Sequence, residues 1–189
     1  MAKHLSKNEL LRKCKELQEL KRGASRSPFT GMSTLCNYVM WAEEKWYPKK
    51  LAEYNARFAE YDRKIDAGEV LVEDIGKRLR DKAGFEVAYV AYTYADIKVP
   101  KSMGFLYQVE KTIIDSNNEI NELCVRYLLI HYQVLMDMGY GDVRLNRNQG
   151  YVNKWLTITA NDEGETIMDL RRKLMDEAGI VIEMPNVRG

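Results

Sequence analysis

The chain has 189 residues, enough to bury a real core, and its 46% apolar and 30% charged content excludes a disordered protein. A net charge of +1 gives no global pull toward nucleic acid or an anionic membrane, and no stretch approaches the roughly twenty apolar residues of a membrane span. The three cysteines, Cys14, Cys36 and Cys124, are odd in number and lack C-x-x-C spacing, which points to buried reduced thiols rather than disulfides or zinc.

Ser6 and Glu9 form an S-x-x-E capping box ahead of Leu10, Leu11, Cys14, Leu17 and Leu20, predicting a first helix over 6–22 that Gly23 ends. No signal-peptide pattern precedes it, so a cytoplasmic protein is expected. The loop "GASRSPFTGMS" follows, and Ser33 is placed to cap a second helix in which Leu35, Val39, Ala42 and Trp46 recur at helical spacing. Pro48 then interrupts. Beyond it Leu51, Tyr54, Phe58, Tyr61 and Ile65 restart the stripe out of phase, which puts Pro48 in the first turn of a new helix. The other face of residues 43–67 carries six acids and six bases and reads as solvated surface. A stripe such as that of the 51–65 helix can also pair with a second copy, making a homodimer the alternative use of it.

Residues 72–84, "VEDIGKRLRDKAG", predict a helix closed by Gly84, and "FEVAYVAYTYADIKVP" predicts a strand by its aromatic and β-branched content. The segment 105–138 carries Ile120, Cys124, Tyr127, His131, Val134 and Met138 on one side, with Leu123, Leu128, Ile130 and Leu135 beside them. A helix apolar over most of its circumference is a central, buried one. Gly139 and Gly141 end it, and Asp142 opens the next. Asp162 and Glu165 are placed to cap a last helix that Gly179 stops, followed by a short strand, "IVIEMP". "IGKRLRDKAGFEV" (75–87) aligns without gaps on "LRRKLMDEAGIVI" (170–182), an echo that many helix-to-strand joints share, and its sharper reading sets the two following strands side by side. The expected class is α+β and predominantly helical: a long central helix packed by several others, with a small β-sheet. Residues 1–70 form an N-terminal helical region, and residues 71–189 form a core holding helix-Gly-strand units at 72–90 and 165–184.

Three constellations bear on chemistry. Asp115, Glu119 and Glu122 share one helix face at spacings that metal-dependent phosphoryl chemistry could use, but without an accompanying E-x-x-H they read as solvated surface. His131 lies inside the apolar stripe and reads as a satisfied core histidine before a general base. Neither implies a metal or cofactor, and nucleophile, Walker and Rossmann signatures are absent from the sequence. The stretch "GYGDVRLNRNQGYVNKW" is the better binding candidate. A helix begun at Asp142 projects Arg144, Arg147 and Lys154 near Tyr151 and Trp155, suited to phosphates, bases or a protein pocket. Residues 1–30 are locally basic, with a net +5, and their Arg22 and Arg26 are the second choice; residues 160–183 are acidic, with a net −4.

"LLIHYQVLMDMGYGDVRLNR" and "IMDLRRKLMDEAGIVIEMP" resemble small accessory proteins encoded by phages, prophages and plasmids of gut Firmicutes. Met138 stands where that group has an aromatic, and Asp142-Val143 where it has a basic pair. The resemblance implies a non-enzymatic inhibitor of a host defence nuclease, of the type II-A anti-CRISPR kind, acting in the bacterial cytoplasm. Its partner would be a Cas9-class nuclease or that nuclease's guide-loaded ribonucleoprotein. The alternative is a phage DNA replication or recombination accessory protein that binds DNA directly.

Overall fold

A computed structural model describes residues 27–88, 105–160 and 164–182 of the chain. They hold six helices: α1 (Ser27–Ala42), α2 (Pro48–Asp66), α3 (Val72–Ala83), α4 (Phe105–Asp137), α5 (Asp142–Ala160) and α6 (Ile167–Ala178). No strand occurs among the described residues, so the expected α+β class with a small sheet is corrected to a helical one. The predicted helix over 6–22, most of the 85–100 strand and Asp162 lie outside the described residues.

The missing sheet has a physical reason in the segments that leave Gly84 and Gly179. Both glycines take a left-handed conformation, φ 56° and 65°, as the helix-Gly pattern requires. Each following chain then alternates as a strand would: Phe85 and Ile182 are buried, while Glu86 and Val181 face out. Their backbone polar groups, however, are met by helix side chains. The Ala88 N–H donates to Gln149 Oε1 of α5 at 2.9 Å, and Arg171 of α6 donates to the Ile182 carbonyl at 3.0 Å. A period of two therefore marks single extended arms laid on helices. The echo survives as a helix-glycine-arm unit used twice, one helix against α4 and the other against α1.

Two helices are central. The expected one is α4, where residues 130–135 are all buried and so cover its full circumference. The other is α1, buried without a break from Thr34 to Met40. It packs against α2, α4, α5 and α6. It also begins earlier than expected: Ser33 sits inside it, and Pro28 in its first turn gives up only an N–H that would be free anyway. Its buried Asn37 is satisfied by Asn55 of α2, each amide donating to the other at 3.1 and 2.9 Å, and by the Ser33 carbonyl at 2.9 Å.

Pro48 opens α2 as expected. The stripe Leu51, Tyr54 and Phe58 is buried within the chain's own core. Arg126 of α4 ties α2 from outside by donating to Asp62 and Asp66. At α6 the cap is Thr166 with Asp169, a reciprocal capping box, in place of the expected Asp162 and Glu165. Glu165 instead accepts from Lys173 Nζ at 2.8 Å. The apolar core runs from Met32 to Ile182 and draws side chains from both sides of residue 70. No helix of the described residues is long and apolar enough to cross a membrane.

Candidate functional site

The stretch singled out in the sequence folds as a corner followed by α5. Gly139, at φ 88°, closes α4 and Asp142 starts α5. Inward, Leu145, Asn148 and Val152 are buried; outward, Val143, Arg144, Arg147, Gly150 and Lys154 are exposed. What periodicity did not reveal is a second half of the site, supplied by the end of α1.

That end is shaped by Lys45. It adopts a left-handed φ of 57°, which lets the Trp46 N–H turn back to the Met40 carbonyl at 3.0 Å. A lysine there carries strain of about 1–2 kcal/mol, partly offset because its ammonium donates to the Ala42 carbonyl, at 2.6 Å, on the negative end of the helix. The turn drives Trp46 into the core, and just before it Glu43 and Glu44, whose N–H groups both donate to the Val39 carbonyl, face α5.

Glu44 has only 3% of its side chain exposed. Its carboxylate accepts from Arg147 Nη2 at 3.0 and 3.2 Å and from the Tyr140 hydroxyl at 3.0 Å, with Arg144 Nη2 at 3.8 Å. Arg144 lies over the Tyr140 ring, 3.8 Å from its centre. Burial, followed by the Glu44 charge, pushes the Tyr140 hydroxyl up to about 12. The same carboxylate raises the Arg147 guanidinium above its usual range. Glu43 forms the next pairing, accepting from the Trp155 indole N–H at 2.9 Å and from Lys154 Nζ at 3.1 Å. The indole hydrogen bond first, and the lysine second, hold the Glu43 carboxyl below its ordinary value against the opposing effect of burial.

The structure thus brings Arg144, Arg147, Lys154 and Trp155 together on one side of α5, each with an acid of the turn that follows α1 on its inner flank. Trp155 is partly buried and packs edge-on against Tyr38 at 4.8 Å, so much of it belongs to the core's margin. Tyr151 is likewise partly buried against the core. Arg22 and Arg26 lie outside the described residues. The signal that could have exposed the missing half was "EEKW" after an apolar helix, two acids facing the only cluster of cations that α5 carries.

His131 lies inside the bundle, fully buried. Its Nδ1 is 2.7 Å from the Tyr54 hydroxyl and its Nε2 is 2.9 Å from Asn148 Oδ1. Because Asn148 Nδ2 faces the Met40 sulfur at 3.1 Å, its Oδ1 must accept. The imidazole is then neutral, donating through Nε2–H and accepting at Nδ1. Burial lowers it to about 4 despite the Asn148 contact. With both nitrogens engaged and no exposed surface, it cannot meet a substrate proton. Of the three carboxylates, Glu122 is exposed on α4, and the side chains of Asp115 and Glu119 lie outside the described set.

Comparison with protein-family models, curated proteins and solved structures finds no match to this chain.

Proposed function

We propose that the chain is a non-enzymatic binding protein, an anti-CRISPR-like inhibitor carried by a mobile element, that docks on a host defence nuclease or its guide-loaded form through the outer face of α5. One observation carries this reading. Arg144, Arg147 and Lys154 are each about half exposed, yet each is held on its inner side by Glu43 or Glu44. Long cationic side chains normally lose rotamer entropy on binding; here part of that loss is taken during folding, which suits recognition of a fixed acidic or phosphate surface. Three cations against two carboxylates leave one net positive charge, too little to hold bare DNA through counterion release alone. That favours a protein or ribonucleoprotein partner over naked duplex.

The test is a pull-down of purified Cas9-class nuclease, empty and guide-loaded, with the wild-type chain and with Arg147→Glu/Lys154→Glu. Capture by the wild type and at least roughly tenfold weaker capture by the variant support the reading. Absence of capture in both nuclease states, or capture indifferent to the variant, overturns it. A mobility shift on bare DNA that fades steeply with salt would favour the replication or recombination alternative instead.

A further inference from the structure

A concavity among the described residues lies between α3 and α4. Val72, Gly76, Val125 and Leu129 floor it, and it runs from Phe85 and Val87 at one end to Asn121 and Leu123 at the other. Leu123 is an exposed apolar residue at that second mouth. Glu73 and Glu122 stand on the rim, both exposed and neither in an ion pair among the described residues, unlike Glu86 and Arg80, which pair at 3.5 Å. An apolar floor rimmed by two exposed acids calls for an apolar stripe flanked by cations.

The chain contains such a segment. Residues 6–22 carry Leu10, Leu11, Cys14, Leu17 and Leu20 at helical spacing, surrounded by six cations and three acids. We infer that this N-terminal segment docks as an amphipathic helix in the α3–α4 groove of its own chain.

Position and length agree with this. Helices α1 and α4 run in the same direction: Tyr127 is hydrogen-bonded to Ser33, and Trp46 faces Tyr140 with ring centres 6.0 Å apart. Ser27 precedes Ser33 by the same number of residues as Asn121 precedes Tyr127. The start of α1 is therefore level with Asn121, at the mouth that Leu123 and Glu122 edge. Residues 21–26 can reach about 20 Å when extended, enough to cross the roughly 10 Å width of α4. From Asn121 to Leu129 the groove covers about 12 Å of helix, and from Leu10 to Leu20 the stripe covers about 15 Å.

Cys14 makes the inference testable without labels. Cys36 and Cys124 are both buried. Docking buries Cys14 as well, so the native chain should show no fast-reacting thiol toward a disulfide reagent. The triple variant Glu73→Lys, Glu122→Lys and Leu123→Asp changes only exposed positions and should release one thiol reacting at least roughly tenfold faster, abolished by adding Cys14→Ser. Met175→Asp, on the exposed side of α6, should release none. Protection must persist on dilution, with the protein monomeric by sedimentation. A fast-reacting Cys14 in the native chain, its continued protection in the triple variant, or protection that vanishes on dilution would each overturn docking in cis; the last would assign the groove to a second copy.

Discussion

Glu44 and Arg147 are 103 residues apart in sequence and joined by two hydrogen bonds of 3.0 and 3.2 Å. The relationship is asymmetric, because the carboxylate is almost wholly buried while the guanidinium is half in water. Losing the arginine therefore strands a buried charge, whereas losing the charge on the acid strands only an exposed cation. Arg147→Ala is expected to destabilise the fold more than Glu44→Gln, because the amide still accepts from Tyr140. Urea denaturation of both variants and their double checks this. Equal losses, or strict additivity in the double, would show that the pair is not coupled.

His131 gives the fold an acid-side weakness. Its folded value, about 4, is depressed from the ordinary 6.5, so the unfolded chain binds the proton more readily than the folded one. Stability from this group is full above about 6.5 and drains away as pH falls toward 4, by up to roughly 3 kcal/mol. Denaturation midpoints between pH 8 and pH 4 should fall accordingly. In a His4→Gln background the one remaining imidazole should keep the Nε2–H neutral tautomer by nitrogen NMR down to pH 5. A ring already protonated at pH 6 would contradict the buried network.

Helical content was largely legible, and the stripe that buries α4 was read correctly from residues such as Tyr127, His131 and Val134. The centrality of α1 was not, because Thr34 and Asn37 interrupt its apolar run and it takes Asn55, supplied by α2, with the Ser33 carbonyl to make the second of them acceptable in a core. The arms after Gly84 and Gly179 misled for a different reason. Alternation reports which side chains go inward, but not whether a strand or a helix side chain satisfies the backbone. At the site, Arg144, Arg147 and Lys154 were legible as an outward cluster. Their tethering by Glu43 and Glu44 was not, since it joins side chains 103 and 111 residues apart, which local spacing does not announce.

Lys45 supplies a prediction of its own. At φ 57° glycine or asparagine is less strained than lysine. Lys45→Gly should leave stability within about 1 kcal/mol of wild type, since relieved strain is set against backbone entropy and the lost bond to the Ala42 carbonyl. Lys45→Val should cost about 2 kcal/mol or more, because a β-branched side chain is excluded from that region. If valine were tolerated as well as glycine, the fold would not require the left-handed conformation at this position.

The Tyr54 hydroxyl tests whether the buried network or mere packing fixes the contact of α2 with α4. Tyr54→Phe keeps the ring, with its edge-on contacts to Trp46 and His131, but removes the donor to His131 Nδ1. A buried acceptor left unpaired is expected to cost about 1–3 kcal/mol. The same change should make His131 easier to protonate only if water enters to solvate the ring, so the two effects separate cleanly. Loss of stability with the imidazole still neutral at pH 5 identifies a dry, unsatisfied nitrogen. Loss of stability with earlier protonation identifies a hydrated one. A variant as stable as wild type would mean that the hydroxyl contributes nothing net, and that aromatic packing alone holds α2 on α4.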